Sequence, residues 1–348
     1  MNRTILTELK RAIRLNLDEK AGQIICSNGA YLSINDYMSL ITYMEKLSKY
    51  PCKVIQYICY RSACRHSAKL NLSGNWFIET ACSAGYSDTV RLLMCDRDVD
   101  PSKYNNVMII RASENGRAEV VRALLTDPRV DPRMELDRAI RMASHNGHVE
   151  VVQILLNDPR TNPGALGDSA LRFAGRKGHL HVARILLNDI RIDPLSNGSV
   201  ALQYACEYGW TEIVRILLED GRADPSVNNS NSIDTASRHG HTEIVRLLLE
   251  DTRADPGACH NIAIREACSS GYITIVRMLL EDGRVDPTDY NNCALLGAII
   301  CDRTEVVRIL LADRRVVDAG LDAALHHVEI YNQPEMYRLL MEAMKRDV

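Results

Sequence analysis

The sequence is poor in aromatic residues, which make up 5% of it, and phenylalanine occurs only twice. Such a composition favours small helices packed through Leu, Ile, Val and Ala over a large β-sandwich core. No apolar run approaches the roughly 18 residues of a membrane-spanning helix, which predicts a soluble protein without a membrane span. The eleven cysteines include no CxxC pair. An odd cysteine count without a signal-peptide pattern predicts reduced thiols and a cytoplasmic location.

Features of enzymes and of nucleic-acid binders are also scarce. The net charge of -3 excludes a globally basic protein and argues against nucleic acid as the partner. There is no phosphate-binding glycine loop, no nucleophile elbow and no carboxylate pair outside a recurring pattern. The strongest candidate metal ligands are His179 with His181 and His239 with His241, and no cysteine near them completes a zinc site. We therefore predict a protein that is not an enzyme and has no cofactor, no metal and no small-molecule substrate.

What the sequence has instead is a repeat. A dipeptide of Asp or Asn followed by Pro recurs every 31 residues, at Asp100-Pro101, Asp131-Pro132, Asn162-Pro163, Asp193-Pro194, Asp224-Pro225, Asp255-Pro256 and Asp286-Pro287. An alanine column from Ala81 to Ala298 and a glycine column from Gly85 to Gly271 keep the same register, and Asp302 replaces the next glycine. Equal spacing over so many steps indicates a repeat architecture.

One unit, 226–256, shows how the repeat folds. Its serine- and asparagine-rich start predicts a turn. Ile233 and Ala236 then lie on one helical face, which Gly240 ends in the left-handed conformation. Residues 243–250 form a second helix with a broad apolar stripe, followed by a loop to the next unit. Since neither helix can bury its apolar face alone, the units must stack.

The segment Gly240-His-Thr-Glu-Ile-Val-Arg-Leu-Leu-Leu-Glu250 resembles the second helix of ankyrin repeats, and Gly147-His-Val-Glu-Val-Val-Gln-Ile-Leu-Leu156 resembles it as well. The resemblance covers about three quarters of the chain. It implies an all-α ankyrin-repeat solenoid and a role in protein–protein interaction. The "LLxDxRxDP" style of the loops resembles the ankyrin families of giant DNA viruses and protists, for which the location would be the host-cell cytoplasm.

Two features depart from the ankyrin pattern. The usual period is about 33 residues, against 31 here, and the usual T-P-L-H start of the first helix is replaced by stretches such as 107–110 and 200–203. The two missing residues fall in the turn that normally projects as a β-hairpin finger. We therefore expect shortened fingers, with contacts made by the inner helices more than by finger tips.

Two charged columns follow the repeat. Arginines such as Arg122 and Arg246 lie three residues after an acid on the second helix, a spacing typical of ion pairs along a helix. A stripe for nucleic acid is the alternative, which the neighbouring acids argue against. In the loops, triplets such as Asp220-x-Arg222-x-Asp224 predict a ladder of salt bridges between adjacent repeats, with a groove for a charged ligand as the alternative.

The resemblance places partner contacts on variable residues of the inner helices and on the turns before them. The two positions before each glycine from Gly116 to Gly271, together with Trp210, are our candidate partner-binding residues: Glu114, Asn115, His145, Asn146, Arg176, Lys177, Glu207, Tyr208, Trp210, Arg238, His239, Ser269 and Ser270. The adjacent turn positions are Asn106, Asp137, Asp168, Ser199, Ser230, Asn261 and Asn292. Tyr208 and Trp210 are of residue types enriched at interface hot spots. A tryptophan packed on the neighbouring repeat is the competing interpretation of Trp210. The basic residues among the candidates favour a partner with an acidic surface.

The predicted organisation has three parts. Residues 1–73 do not follow the repeat and contain three helical stretches, 4–16, 33–49 and 51–68, which form a helical cap or a docking region. Residues 74–317 form eight ankyrin-like repeats. Residues 318–348 form a degenerate C-terminal capping repeat that follows a one-residue slip.

The prediction for function is a non-enzymatic scaffold that binds a partner protein on the concave inner-helix surface. One alternative is a substrate-recognition adaptor of a ubiquitin-ligase complex that docks the ligase through residues 1–73, although no F-box or BTB signature is present. Another is a structural role in a larger assembly, which predicts self-association. Fold alone does not decide among them.

Overall fold

The computed structural model describes residues 2–14, 74–95 and 99–345, and every regular element among them is a helix. The chain divides into two compact units, Met1–Ala165 and Leu166–Val348. The first unit contains α1 (Asn2–Arg14), α2 (Gly74–Ala84), α3 (Ser87–Met94), α4 (Lys103–Glu114), α5 (Ala118–Leu125), α6 (Met134–His145) and α7 (Val149–Leu156).

The second unit begins within α8 and continues the same alternation of a long and a short helix. Its helices are α8 (Ala165–Lys177), α9 (Leu180–Leu187), α10 (Ser196–Tyr208), α11 (Thr211–Asp220), α12 (Val227–His239), α13 (Thr242–Glu250), α14 (Ala258–Ser270), α15 (Ile273–Glu281), α16 (Asp289–Ile300), α17 (Thr304–Leu310), α18 (Arg314–Asp318), α19 (Asp322–Ile330) and α20 (Pro334–Lys345).

Within each unit the helices form two layers. The first helix of a repeat packs on the first helix of the next repeat, as α4 does on α6 and α12 on α14, and the second helices, such as α13 and α15, form the other layer. We call α2, α4, α6, α8, α10, α12, α14, α16 and α19 the inner helices. This arrangement is an all-α repeat solenoid, as the repeat predicted.

The alanine and glycine columns explain how each inner helix ends. In α12, Gly240 adopts φ +77° and His241 donates its backbone N–H to the carbonyl oxygen of Ala236 at 3.0 Å. This is a Schellman ending, which needs a left-handed residue at the glycine position. Asp302, which replaces glycine in its repeat, keeps the left-handed conformation with φ +56°. The column alanines are fully buried because the neighbouring inner helix leaves no room for a larger side chain.

The start of the inner helices holds a feature that the sequence did not predict in detail. In α14, Cys259, His260 and Asn261 have φ of 48°, 59° and 53°, which makes one left-handed turn before the right-handed helix begins. The corresponding residues of α4, α6, α8, α10 and α16 do the same. Left-handed non-glycine residues cost about 1–2 kcal/mol each. Asn, Asp and Gly recur in these turns because they tolerate that conformation best.

Parts of the predicted periphery can be placed. The helix predicted over 4–16 is observed as α1, with Ile5 and Leu9 buried, while the stretches 33–49 and 51–68 lie outside the described residues. The C-terminal helix pair α19 and α20 covers the region predicted as the degenerate unit. The division at residues 73 and 317 itself stays a prediction.

Candidate partner-binding face

The turn positions do not belong to an exposed binding face, and that prediction is wrong. Asn106, Asp137, Asp168, Ser199, Asn261 and Asn292 are all buried. In α6 the Asp137 Oδ1 accepts the backbone N–H of Asn162 at 2.7 Å, and in α14 the Asn261 Oδ1 accepts that of Asp286 at 2.7 Å. Each bond joins a turn to the loop 25 residues further on. Ser230 lies in a part of the turn whose side chains are outside the description.

A buried backbone N–H without a partner is costly, which gives these side chains a structural role. Burial raises the pKa of the Asp137 and Asp168 carboxyls, and the accepted N–H bonds partly offset that effect. Polar residues at these turns are therefore required by the scaffold and are not available to a partner.

The loop arginines also tie repeats together, but not through acids of two repeats as predicted. The Arg222 guanidinium pairs with Asp220 of its own loop at 2.7 Å. It then donates to the carbonyl oxygens of Ile192 at 2.9 Å and Leu187 at 2.6 Å in the preceding repeat. Carbonyl oxygens at a helix end lack hydrogen-bond donors within the helix, and the guanidinium of the arginine provides such donors. The hydrogen bonds from Arg222 hold the pKa of Asp220 below its ordinary value.

The same arrangement recurs in both units. Arg160 binds Asp158, Val130 O and Leu125 O in the first unit, and Arg253, Arg284 and Arg315 each bind an acid two residues earlier and at least two carbonyls of the preceding repeat. This edge of each repeat therefore acts as a polar clasp within the scaffold.

The outer arginine column forms the predicted ion pairs. Arg122 contacts Glu119 at 3.3 Å and Arg246 contacts Glu243 at 3.2 Å. Arg122 also reaches Glu150 of the following repeat at 3.4 Å. Local acids thus accompany these arginines, as the structural interpretation required.

A third column consists of planar side chains just after the helix-ending glycine. The Trp210 indole Nε1 donates to Arg176 O at 3.3 Å, and its ring covers Gly178, where a Cβ would lie 2.6 Å from the ring. His241 is placed in the same way against Glu207 O at 3.0 Å and Gly209. Trp210 therefore packs on the preceding repeat, as its competing interpretation stated. Because its side chain is still 39% exposed, one edge of the indole remains available to a partner.

Within each unit, the positions left over form a face on the inner helices. We define the face positions as the residues five, two and one before the residue that ends each inner helix. In the first unit they include Arg111, Glu114, Asn115, Met142, His145 and Asn146. In the second unit they are Phe173, Arg176, Lys177, Tyr204, Glu207, Tyr208, Thr235, Arg238, His239, Glu266, Ser269, Ser270, Gly297, Ile300, Cys301, His327, Ile330 and Tyr331. None of these residues is buried.

In the first unit the predicted residues lie together but are partly engaged. The Asn146 Nδ2 donates to Glu114 O at 2.8 Å, and the His145 Nδ1 lies 2.9 Å from the Asn146 Oδ1. The Asn115 Nδ2 donates to Arg111 O at 2.8 Å. These bonds orient the polar groups and leave the side chains at the surface.

In the second unit an aromatic and basic cluster stands out. The Arg176 guanidinium lies 5.6 Å from the centre of the Tyr204 ring, which in turn lies 6.5 Å from the Tyr208 ring. A hydrogen bond with the Tyr208 side chain raises the pKa of Arg176. Lys177 is exposed beside them. A positioned guanidinium with exposed phenol rings suits a carboxylate next to an apolar group.

The cluster continues onto α12 with a weaker positive charge. The Arg238 Nε lies 3.2 Å from the Glu266 Oε2, so that arginine is partly neutralised. The His239 ring stacks on His241 with centroids 6.0 Å apart. The structure therefore brings Arg176, Lys177, Tyr208 and Trp210 close to Arg238 and His239 along one layer of helices.

Some exposed residues escaped the sequence prediction. The tyrosine at face position Tyr204 was missed because only the two positions before each glycine were considered. Ile300, Ile330 and Tyr331 were missed because their repeats lack the glycine that set the register. Following the column through Asp302 and the one-residue slip would have found them.

One buried acid has no partner. Asp234 on α12 is buried, its Oδ1 has no hydrogen bond, and burial raises its pKa to about 7. At the same position Arg141, Gln203 and Arg265 donate to carbonyls of their own left-handed turns. An aspartate cannot do so when ionised, so it destabilises this repeat.

No group of three or more metal-ligating side chains occurs in the described part of the chain. The second predicted pair is used otherwise, since His239 Nδ1 lies 2.9 Å from Thr235 O and His241 binds a carbonyl. Among the described helices, none is long and apolar enough to cross a bilayer.

The fold and its columns define the class of this protein as an all-α repeat protein with a structurally uniform scaffold and a variable inner-helix face. The family model "Ankyrin repeats (3 copies)" matches residues 109–197, 189–258 and 236–319. The chain belongs to the ankyrin-repeat family. No curated protein matches it significantly. Ankyrin repeats are generally protein–protein interaction modules, which directs attention to the face positions.

Proposed function

We propose that this protein is a non-enzymatic scaffold that binds a partner protein on the face positions of its inner helices. One observation carries the proposal. Turn and loop side chains such as Asn261 and Arg253 are taken up by bonds between repeats, whereas none of the face positions named above is buried. Side chains that are not buried can vary for recognition without disturbing the packing of the scaffold.

The partner we propose has an acidic surface. In α8, α10 and α12 the face positions carry Arg176, Lys177 and Arg238 against Glu207 alone. Complementary charge increases the association rate and excludes wrong partners. We propose a cytoplasmic location on the cysteine usage, and kinship with the 31-residue arrays of giant DNA viruses and protists on the loop pattern.

Three further parts of the prediction belong to the same proposal. Residues 1–73 form a cap or docking region, residues 74–317 form eight repeats, and residues 318–348 form a capping repeat. The ubiquitin-ligase adaptor remains an alternative, and most of the region on which it depends lies outside the described residues.

The test is quantitative affinity capture from cytosol with the full chain. The face variant is K177E/Y208A, which changes two exposed side chains of the cluster. The control variant is R184E/R277E, which places a larger charge change, -4 against -2, on exposed positions of the second helices α9 and α15. Circular dichroism and thermal melting check that both variants fold.

A protein captured by wild type and by the control, but at least tenfold less by the face variant, supports the proposal. Capture that the face variant retains and the control loses would move the site to the other helix layer. Capture that only deletion of residues 1–73 abolishes would favour the ligase-adaptor alternative.

A further inference from the structure

The face positions of the second unit change in chemical character along the stack. At the α8, α10 and α12 end they include the basic residues Arg176, Lys177 and Arg238 and the phenol rings of Tyr204 and Tyr208. On α14 they become small and polar, with Ser269 and Ser270. On α16 and α19 they hold no acid, lysine or arginine at all.

The far end is apolar instead. Ile300, Ile330 and Tyr331 are 56%, 60% and 66% exposed. Tyr331 contacts the His327 ring, with centroids 4.4 Å apart, and this contact leaves most of its surface open. Large apolar side chains clustered at the surface indicate an interaction site.

These three residues belong to one surface because their repeats are packed together. α16 packs on α19, and α17 on α20. The Gln333 Nε2 donates to Ile299 O at 3.2 Å, an inter-repeat bond like those of Trp210 and His241, with its acceptor one residue earlier on the preceding inner helix. Asn332 has φ +51° and ends α19 as the glycines end the other inner helices. The face therefore continues to Ile330 and Tyr331 despite the slip in the sequence register.

We propose that this face binds one extended segment of a partner protein that is acidic at one end and carries aliphatic or aromatic side chains at the other. The acidic end lies over Arg176 and Lys177, and the apolar end lies over Ile300, Ile330 and Tyr331. The small side chains of Ser269 and Ser270 leave room for the connecting backbone. This inference rests on the proposed function and adds the chemistry and order of the ligand.

The spacing sets the length of the segment. Five steps between packed inner helices separate α8 from α19, and packed helices lie about 8–10 Å apart, which gives about 40–50 Å. An extended chain covers about 3.3–3.6 Å per residue, so the segment needs about 11–15 residues.

Charge and apolar contact make different demands on the ligand. Carboxylates satisfy the exposed cations, and their attraction weakens as salt rises. An apolar side chain over Ile330 and Tyr331 removes exposed hydrocarbon from water, which salt does not weaken. A segment with mixed charge throughout would leave acids over an uncharged surface without partners.

The experiment selects ligands from a displayed library of random 16-residue peptides with the full chain as bait. We expect selected peptides to carry a cluster of Asp and Glu separated from a cluster of apolar residues. Affinities are then measured by fluorescence anisotropy for wild type, R176E/K177E, I330S/Y331S and the control R184E/R277E.

Each face variant should weaken binding at least tenfold, the control should change it less than twofold, and only the R176E/K177E site should account for the salt dependence. If the selected peptides are purely acidic and I330S/Y331S binds them as tightly as wild type does, the two-ended ligand is overturned and the proposed function stands. If only the control variant R184E/R277E loses affinity for the peptides, the two-ended ligand and the proposed function are both overturned. If no peptide is enriched, an extended ligand is excluded, while a folded partner is not.

Sedimentation velocity tests whether a second copy of the chain covers the apolar end of the face. The proposal requires that the apolar end is free at micromolar concentration. A dimer of wild type that I330S/Y331S abolishes would overturn the proposal in favour of self-association.

Discussion

The clasp edge and the inner-helix face contain the same kinds of side chain in different roles. At the clasp edge these side chains join repeats, and on the face they are open to a partner. At the clasp edge Arg253 makes bonds to its own acid and to carbonyls of the preceding repeat. On the face Arg176 lies against an aromatic ring and keeps its surface exposed. Residue type therefore does not distinguish structural from recognition arginines. What distinguishes them is whether an unsatisfied backbone group lies within reach.

Substitutions that break bonds between repeats should lower the free energy of unfolding, whereas substitutions on the face should lower only the affinity for a partner. N261A and R222A test the first half, and D234N tests the cost of a buried side chain that makes no such bond; they follow from the largest expected effect to the smallest.

The largest effect concerns Asp234, and it depends on pH. Burial raises its pKa to about 7. Glu266 and Asp255 raise the pKa as well, whereas Arg238 and Arg265 lower it. Between pH 4 and 7 the folded state keeps a proton that the unfolded state has released, so stability falls as pH rises through this window. The substitution D234N removes the carboxylate and should stabilise the protein by up to about 4 kcal/mol above pH 7, since one pKa unit corresponds to about 1.36 kcal/mol.

Urea unfolding of wild type and D234N at pH 4.5 and 8 measures this effect. The difference between the two proteins should be small at pH 4.5 and large at pH 8. An equal difference at both values would mean that the carboxyl is not protonated in the folded state.

The next effect concerns the turn. In N261A the Asp286 N–H loses its acceptor and an alanine must take φ +53°, which together should cost about 2–4 kcal/mol. N291A is the matched control, because Asn291 has φ +55° but is exposed and makes no described bond to the next loop. Chemical denaturation should show a larger loss for N261A. Equal losses would assign the effect to backbone strain alone.

The smallest effect concerns the clasp. R222A leaves two carbonyls of the preceding repeat to water and should cost about 1–2 kcal/mol, because the site is partly exposed. R246A removes only an exposed pair with Glu243 and should change the free energy of unfolding by less than about 0.5 kcal/mol. A loss in R246A as large as that in R222A would contradict the distinction between clasp and outer column.

The sequence was sufficient to predict those recurring features that depend on a single residue and its near neighbours in the chain. Gly240 could be assigned to a helix end because a left-handed ending favours glycine, and Ala236 to the core because it recurs in register with apolar neighbours. The role of Asn261 could not be predicted in this way. Its partner is a backbone N–H 25 residues away, and a pattern of residue types does not show whether a polar side chain faces that group or the solvent.

The same limit explains the other errors. Asp220, Arg222 and Asp224 have charges that suggest a salt-bridge ladder, but the carbonyls that Arg222 binds leave no mark in the sequence. For Trp210 the sequence left two interpretations open, a partner contact and packing on the neighbouring repeat, because its contact with Gly178 depends on packing that residue type does not show. Candidate face residues such as Lys177 and Tyr208 follow from register, and their use by a partner awaits the binding experiments.

The joints between repeats also constrain how such a gene can change. Where a turn side chain accepts a backbone N–H, as Asn261 does, the bond reaches a loop 25 residues ahead, and clasp arginines such as Arg284 reach back 30 and 35 residues. Insertion or loss of one whole 31-residue unit restores every one of these pairs with an equivalent partner, whereas a partial unit separates them. Duplication of a whole repeat therefore keeps the hydrogen bonds between neighbouring repeats intact. The array can lengthen or shorten its recognition face by unequal recombination without first evolving a new interior.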